Sequence, residues 1–452
     1  VPQDVLLLSC YELGHQPLSL AWPLAFLARE GIEARAVDLS VSPFPEDDAA
    51  GARFVAIAVP MHTALRLGVK AAERVRRANP QAHICFHGLY AWLNAEYLLA
   101  GLADSVLAGE SEQQLAELAK HVLHGTSAAG GGAARVLERL AFPTPDRRTL
   151  APLRRYARFV SAGQKMLAGY TEASRGCRHV CRHCPVVPVY GGRFFVTPLE
   201  VVLADVRAQA GAGARHITFG DPDFLNGPGH ALRVARALHA EFRELSFDFT
   251  TKVEHILKHR QVFAELRELG CAFVVSAVES LSDRVLARLR KDHSAADVPV
   301  AIEILEAAGI ALHPTFVAFT PWTTLDDYIE LIDFFWERGL ASHIPPVQLS
   351  IRLLVPPRSA LLEDAESRAS FGSLDAAAFV HRWSHPDPRM DDLHGRVAAL
   401  VEDAEARKQP APATWRSIRA LAYATAGREL RDAPMPPRCE PDPPRLTEHW
   451  FC

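Results

Sequence analysis

Short apolar runs alternate with amphipathic stretches along most of the chain, and that rhythm confines it to an α/β architecture of parallel strands joined by helical crossovers. In the first part, residues 5–9, 34–39, 54–59, 83–86 and 105–108 read as strands, with helix-like apolar spacing at 18–29, 64–77 and 112–122. This predicts a doubly wound, Rossmann-like domain over residues 1–124. The stretch from Gly125 to Gly132, rich in Gly, Ala and Ser, has the composition of a flexible connection, so a linker is expected over 125–166. The alternation restarts near Leu167. Strands are expected at 168–173, 216–219, 246–250, 272–278, 311–319 and 347–353, with helices at 198–210, 231–242, 262–269, 283–289, 297–308 and 325–336. Six such units predict a partial β/α barrel over 167–360, with its active site at the C-terminal ends of the strands. Residues 361–452 are mixed and Pro-rich and read as a mainly helical C-terminal extension, with helices at 374–383, 394–407 and 414–426.

A formal charge of -4 leaves no basic excess for tracking phosphates, so a small-molecule substrate is expected rather than nucleic acid. The longest apolar runs fall far short of the ~20 residues a membrane-crossing helix needs. No basic segment followed by an apolar one opens the sequence. The expectation is a cytoplasmic location with no membrane association.

Eight cysteines are too sparse for a disulfide scaffold, and three of them, Cys177, Cys181 and Cys184, fall within eight residues directly after the first barrel strand. Thiolates spaced Cys-x3-Cys-x2-Cys on a loop can hold three corners of an iron-sulfur cubane and leave one iron open to chelate an amine and a carboxylate. Zinc is the rival metal, with His179 or His183 completing a four-ligand site. Three unliganded thiols on a basic loop would be an oxidation liability. Arg175, Arg178 and Arg182 either offset the cluster's charge or are solvated surface charges. Cys10, Cys85 and Cys271 lie in or beside strand-like segments and read as small buried residues, whereas Cys439 and Cys452 stand in a Pro-rich tail.

The cysteine spacing after a first barrel strand resembles the signature of the radical S-adenosylmethionine (SAM) superfamily, over roughly residues 167–362. The resemblance implies a [4Fe-4S] cluster on Cys177, Cys181 and Cys184 that reductively cleaves SAM, fed by an external electron donor such as flavodoxin or ferredoxin. One departure is His183, where the superfamily usually carries an aromatic residue. Gly220-Asp221-Pro222-Asp223 resembles the segment that binds the SAM amino group, which assigns Gly220, Asp221 and Asp223 to the cosubstrate; a tight Asp-Pro turn is the plain alternative. Ser276-Ala277-Val278-Glu279-Ser280 resembles the segment touching the SAM ribose and carboxylate, which implicates Glu279 and Ser280. Phe319-Thr320-Pro321-Trp322-Thr323 occupies the adenine-contacting position, which implicates Thr320, although it lacks the usual glycines.

From end to end the chain resembles the CUAEP/CCAEP-tail radical SAM proteins, in which U is selenocysteine. The match includes Tyr11-Glu12-Leu13-Gly14-His15-Gln16-Pro17, Lys252-Val253-Glu254-His255 and Leu446-Thr447-Glu448-His449-Trp450-Phe451-Cys452. Of the Cys-Cys/Sec-Ala-Glu-Pro tail that this implies, only the first Cys is present; a UGA codon read as selenocysteine and a natural truncation are the two explanations weighed. The subgroup is similar to radical SAM enzymes of arsinothricin biosynthesis, which transfer the 3-amino-3-carboxypropyl group of SAM to trivalent arsenic. That likeness implies arsenite as substrate, presented by Cys452 with Cys439 as catalytic residues. The N-terminal domain resembles the cobalamin-binding domains of many radical SAM enzymes, but Cys10-Tyr11-Glu12-Leu13-Gly14-His15 is not the Asp-x-His-x-x-Gly loop that supplies a histidine to cobalt. Cobalamin therefore stays open, as do a cobalamin-dependent methyltransferase and a non-catalytic iron-sulfur redox sensor.

Overall fold

The computed structural model describes residues 3–125, 132–430, 434–437 and 442–448. Its first sheet contains β1 (Val5–Ser9), β2 (Arg35–Asp38), β3 (Phe54–Ala58), β4 (His83–His87), β5 (Ser105–Gly109) and β6 (Gly132–Val136), all parallel, in the order β2-β1-β3-β4-β5-β6. Reversal of the strand order at β1 is the doubly wound pattern expected from the alternation. Along β1, Leu6 and Leu8 enter one core layer while Val5 and Leu7 enter the other. A strand covered by helices on both faces must be apolar at every position, which is why β1 reads as one continuous hydrophobic run. β6 falls in the stretch expected to be a linker; its Gly132-Ala133-Ala134-Arg135-Val136 sequence gives no apolar alternation, and pairing with β5 rather than local pattern makes it a strand.

The remainder of that connecting stretch is anchored by Arg147. Its guanidinium donates to Asp205 at 2.6 and 2.9 Å, to the Tyr170 carbonyl at 2.6 Å and to Gln16 at 2.8 Å. One buried cation thus joins the first domain, the connection and the second domain, with its carboxylate partner in place to offset desolvation.

The second sheet starts with an antiparallel pair, β7 (Arg158–Ser161) and β8 (Gln164–Thr171). A small ribbon follows, β9 (Ser174–Gly176) against β10 (Phe194–Val196). Then come β11 (His216–Phe219), β12 (Ser246–Thr251), β13 (Cys271–Glu279) and β14 (Ala311–Phe316), which with β8 make five parallel strands. Helices at Leu199–Gly211, Pro228–Glu241, Asp297–Ala307 and Leu325–Glu337 cover the outside. The expected sixth strand at 347–353 is absent: Pro345 and Pro346 open a 3-10 turn at Pro346–Ser350, and a single bridge between Phe319 and Arg352 remains. Proline lacks the N–H a ladder requires.

The expected helix at 374–383 is instead a hairpin, β15 (Leu374–Asp375) with β16 (Val380–His381), because Asp375 accepts from the Ala377 and Ala378 amides and turns the chain. Helices at Pro388–Ala406 and Ala411–Thr425 do form, the second burying Trp415 completely.

A last strand, β17 (Arg445–Leu446), adds to the free edge of β7, giving the order β14-β13-β12-β11-β8-β7-β17. The His313 ring on β14 meets the Pro444 carbonyl at 2.8 Å, so the C-terminal segment joins the two edges of the open barrel. Inside, Phe159 stacks on His216 at 3.8 Å and lies near Phe273, filling the lumen below the strand ends. Among the described residues no helix is long and apolar enough to cross a membrane.

Candidate functional site

The three clustered cysteines leave the barrel on the loop between β9 and β10, beyond the C-terminal end of β8. Gly176 precedes Cys177 with a positive φ of 72°, and a Cβ there would stand 2.5 Å from the Arg193 carbonyl and from the Tyr190 ring, so only glycine fits at the point where the loop departs. Asp221, at the end of β11, accepts from the Ala173 amide at 2.9 Å and the Ser174 hydroxyl at 2.6 Å. Asn226 accepts from the Arg178 amide at 3.1 Å and lies 3.7 Å from the Cys177 sulfur. On the far side the Arg182 amide donates to the Leu289 carbonyl. The loop is held by the barrel frame at several points before any metal is considered.

Cys177 and Cys181 are buried and Cys184 is partly so. Burial, with nearby Asp223 adding to it, pushes the Cys177 thiol up to about 11; burial and its two neighbouring thiols push Cys184 up as well. Three soft donors brought together on one loop are the set that a cationic iron centre converts to thiolate ligands. The donor set therefore suits an iron-sulfur cluster.

Beside this loop Glu279 closes β13 with φ of 65° and is almost fully buried. Burial alone would raise its carboxyl, but Lys291 at 3.0 Å and the His183 ring at 3.1 Å, both on Oε1, hold it down to about 2. Lys291 is itself buried; Glu279 and the nearby Cys181 and Cys184 keep its ammonium charged against that burial. The sequence reading missed Lys291, which sits in an ordinary charged turn after the helix Asp283–Leu289 and carries no motif.

The other predicted SAM contacts are distributed around the same strand ends. A Cβ on Gly220 would overlap the Tyr170 hydroxyl at 2.1 Å. Asp223 is fully buried and accepts from the Thr251 hydroxyl at 2.8 Å, the Leu225 amide at 3.0 Å and the His255 ring at 3.0 Å. The Ser280 hydroxyl accepts from the Ser282 amide, and the Thr320 hydroxyl from the Trp322 and Thr323 amides, so both shape their turns. Cys439 and Cys452 lie outside the described residues.

The arginines divide their roles. Arg175 points away from the cysteines into the first domain, reaching Glu112 at 2.6 Å, Glu172 at 3.1 Å and Glu110 at 3.7 Å. Arg182 faces Asp364 at 3.5 Å. His15 does not present its ring to a cobalt: it is buried and stacked on Tyr170 at 4.3 Å, and burial pushes it down to about 4. Three further groups at this edge of the first sheet also meet protein. Tyr11 donates to Glu448, His62 meets the Ala378 carbonyl, and Tyr190 donates to Glu110.

Residues 171–335 match the model of the radical SAM superfamily, which implies a [4Fe-4S] cluster and SAM. Among curated proteins, the tRNA-2-methylthio-N(6)-dimethylallyladenosine synthase of Chlorobium phaeobacteroides is 32% identical over 165 residues, 35% of this chain and 37% of that protein. The hopanoid C-3 methylase of Methylococcus capsulatus is 24% identical over 151 residues, 33% of this chain and 29% of that protein. The matched part thus spans well under half the length of these relatives. Among solved structures, the cobalamin-dependent radical SAM enzyme OxsB covers 94% of this chain and 72% of its own, with a TM-score of 0.72 and 14% identity. The radical SAM methyltransferase TsrM of Kitasatospora setae covers 94% and 89%, with a TM-score of 0.64 and 15% identity. At such identities the likeness is one of fold: a first α/β domain, a radical SAM half-barrel and a helical C-terminal part.

Proposed function

We propose, from the radical SAM domain at residues 171–335, that this chain reductively cleaves SAM at a [4Fe-4S] cluster ligated by Cys177, Cys181 and Cys184 and transfers a fragment of SAM to a small acceptor. The observation that carries the reading is the pre-anchored loop holding three thiols at the C-terminal mouth of the barrel, with no fourth cysteine on that loop. When bound, the cluster supplies the electron that splits a carbon-sulfur bond of the sulfonium and an open iron for its amine and carboxylate. The protein's share is orientation and exclusion of water: Gly220 leaves room at the end of β11, Asp221 and Asp223 stiffen that end, and Glu279 with Lys291 places a fixed pair of charges beside the loop.

For the fragment transferred, we favour the 3-amino-3-carboxypropyl group, delivered to trivalent arsenic. The support is the end-to-end likeness to the CUAEP/CCAEP-tail proteins and the soft thiols of Cys439 and Cys452, which suit a thiophilic acceptor. Glu448, which leads into that tail, is tied to Tyr11 of the first domain. A cobalamin-dependent methyl transfer is the second reading, favoured by the first α/β domain and by the names of OxsB and TsrM. The loop after β1 offers cobalt no imidazole, since the His15 ring is buried and stacked on Tyr170.

Anaerobic reconstitution with SAM, dithionite and arsenite tests both. Methylthioadenosine with an aminocarboxypropyl arsenical is the expected product pair. S-adenosylhomocysteine with a corrin absorption spectrum would replace it by the second reading, and intact SAM would refute enzymatic cleavage.

A further inference from the structure

We propose that His255 is a positioning residue for the cysteine loop, setting the orientation of the cluster through His179 without touching the reacting groups; the inference rests on reading that loop as a cluster loop. His179 stands between Cys177 and Cys181, and its Nε2 lies 3.2 Å from Nε2 of His255. The other ring nitrogen of His255 lies 3.0 Å from Asp223, and the other nitrogen of His179 lies 3.0 Å from the Lys252 ammonium.

The two ends of this chain fix its direction. An ammonium can only donate, so His179 Nδ1 accepts and its proton is on Nε2. That proton points at His255 Nε2, which must therefore accept, leaving the His255 proton on Nδ1 to be donated to Asp223. The opposite tautomer, with the His255 proton on Nε2 facing His179, would put the His179 proton on Nδ1 against the Lys252 ammonium. The four groups thus form one directional series, Lys252 to His179 to His255 to Asp223.

Both ends belong to the barrel frame. Asp223 is clamped by Thr251 and the Leu225 amide, while Lys252 is also held 3.4 Å from both Glu254 and Asp292. That ammonium fills the space among His179, Glu254 and Asp292 that a metal ion would otherwise occupy. His255 follows β12 on the helix Val253–Lys258, so it transmits the position of the strand ends to the middle of the cysteine loop. Partners bonded directly to a metal ligand typically change metal affinity or activity about 10–100-fold when removed, and His255, which acts through His179, belongs at the lower end of that range.

Glutamine separates positioning from chemistry, because its amide can donate to Asp223 and accept from His179 while it cannot shuttle a proton as imidazole does. The test uses the full chain, reconstituted with iron and sulfide and reduced, comparing wild type with His255→Phe and His255→Gln. Expected for His255→Phe are a shifted and broadened electron paramagnetic resonance signal and SAM cleavage lowered about tenfold or more, with His255→Gln restoring both to within about threefold of wild type. Wild-type signal and rate in His255→Phe would overturn the proposal, as would a His255→Gln as impaired as His255→Phe. If His255→Phe does not hold iron, Lys252→Met removes the opposite end of the series: the same spectral shift supports positioning, and an unaltered spectrum refutes it. Wild-type protein that binds no cluster would instead refute the functional reading on which this one stands.

Discussion

The ammonium of Lys291 and the ring of His183 meet on one oxygen of Glu279, at 3.0 and 3.1 Å, and so bind the end of β13 to the cysteine loop. His183 immediately precedes Cys184, so this carboxylate is a hinge-pin between barrel and loop. It is also a buried negative charge compensated by those two partners.

Removing Lys291 should therefore be costly. Lys291→Met leaves Glu279 buried with only His183 beside it, and breaking a buried ion pair from one side costs about 3–5 kcal/mol. Urea denaturation of the apo-protein checks this, and a loss near zero would show that the pair contributes no stability. The double variant Lys291→Met, Glu279→Gln should recover part of the loss.

The pH dependence of stability follows from the carboxylates at the domain boundary. Burial pushes Glu172 up to about 8 and Glu12 and Glu110 up to about 7, with Arg175 opposing it at Glu172 and Glu110. Groups raised above their ordinary value of 4.5 contribute stability that is complete below that value and is lost as pH rises through 7 to 8. Denaturation midpoints should fall as pH rises from about 4.5 to about 8, the window between the ordinary carboxyl value and these raised ones. Glu172→Gln, which keeps a partner for Arg175 but removes a titration, should flatten the slope; an unchanged slope would contradict the assignment.

Gly220→Ala should impair the site sterically. Its Cβ would lie 2.1 Å from the Tyr170 hydroxyl, and overpacking of this kind costs about 1–3 kcal/mol. Either the strand end or the Tyr170 ring must move, so thermal stability and SAM binding should drop together. Isothermal titration with SAM on the reconstituted protein measures the second effect, and unaltered affinity would place Gly220 away from the cosubstrate.

Much of this site was legible before folding. The cysteine spacing located the loop, and the βα rhythm put it at the mouth of a half-barrel. What escaped was long-range. Lys291, 12 residues beyond its Glu279 partner, shows nothing in its local sequence that marks it as buried. β6 becomes a strand only because β5 offers an edge, and β17 only because β7 does. The expected helix at 374–383 failed for a local reason, the Asp375 side chain bonding to the amides two and three residues on, a competitor that apolar periodicity does not register.

Loss of the ligands themselves gives a further prediction. Replacing any one of Cys177, Cys181 or Cys184 by Ala should abolish SAM cleavage and remove most of the bound iron, while Cys271→Ala should leave the iron content unchanged because its thiol is buried in the strand core. Iron and sulfide analysis of the four proteins, purified anaerobically, separates the two outcomes. Full iron content in any of the three loop variants would remove that cysteine from the ligand set.

The most direct measurement is the electron paramagnetic resonance spectrum of the reduced, reconstituted protein with and without SAM. A cluster with one iron free of protein ligands should give a signal whose g-values shift when SAM is added, with cleavage products accumulating in the same tube. A signal indifferent to SAM, or protein that retains no iron and sulfide, would contradict the account.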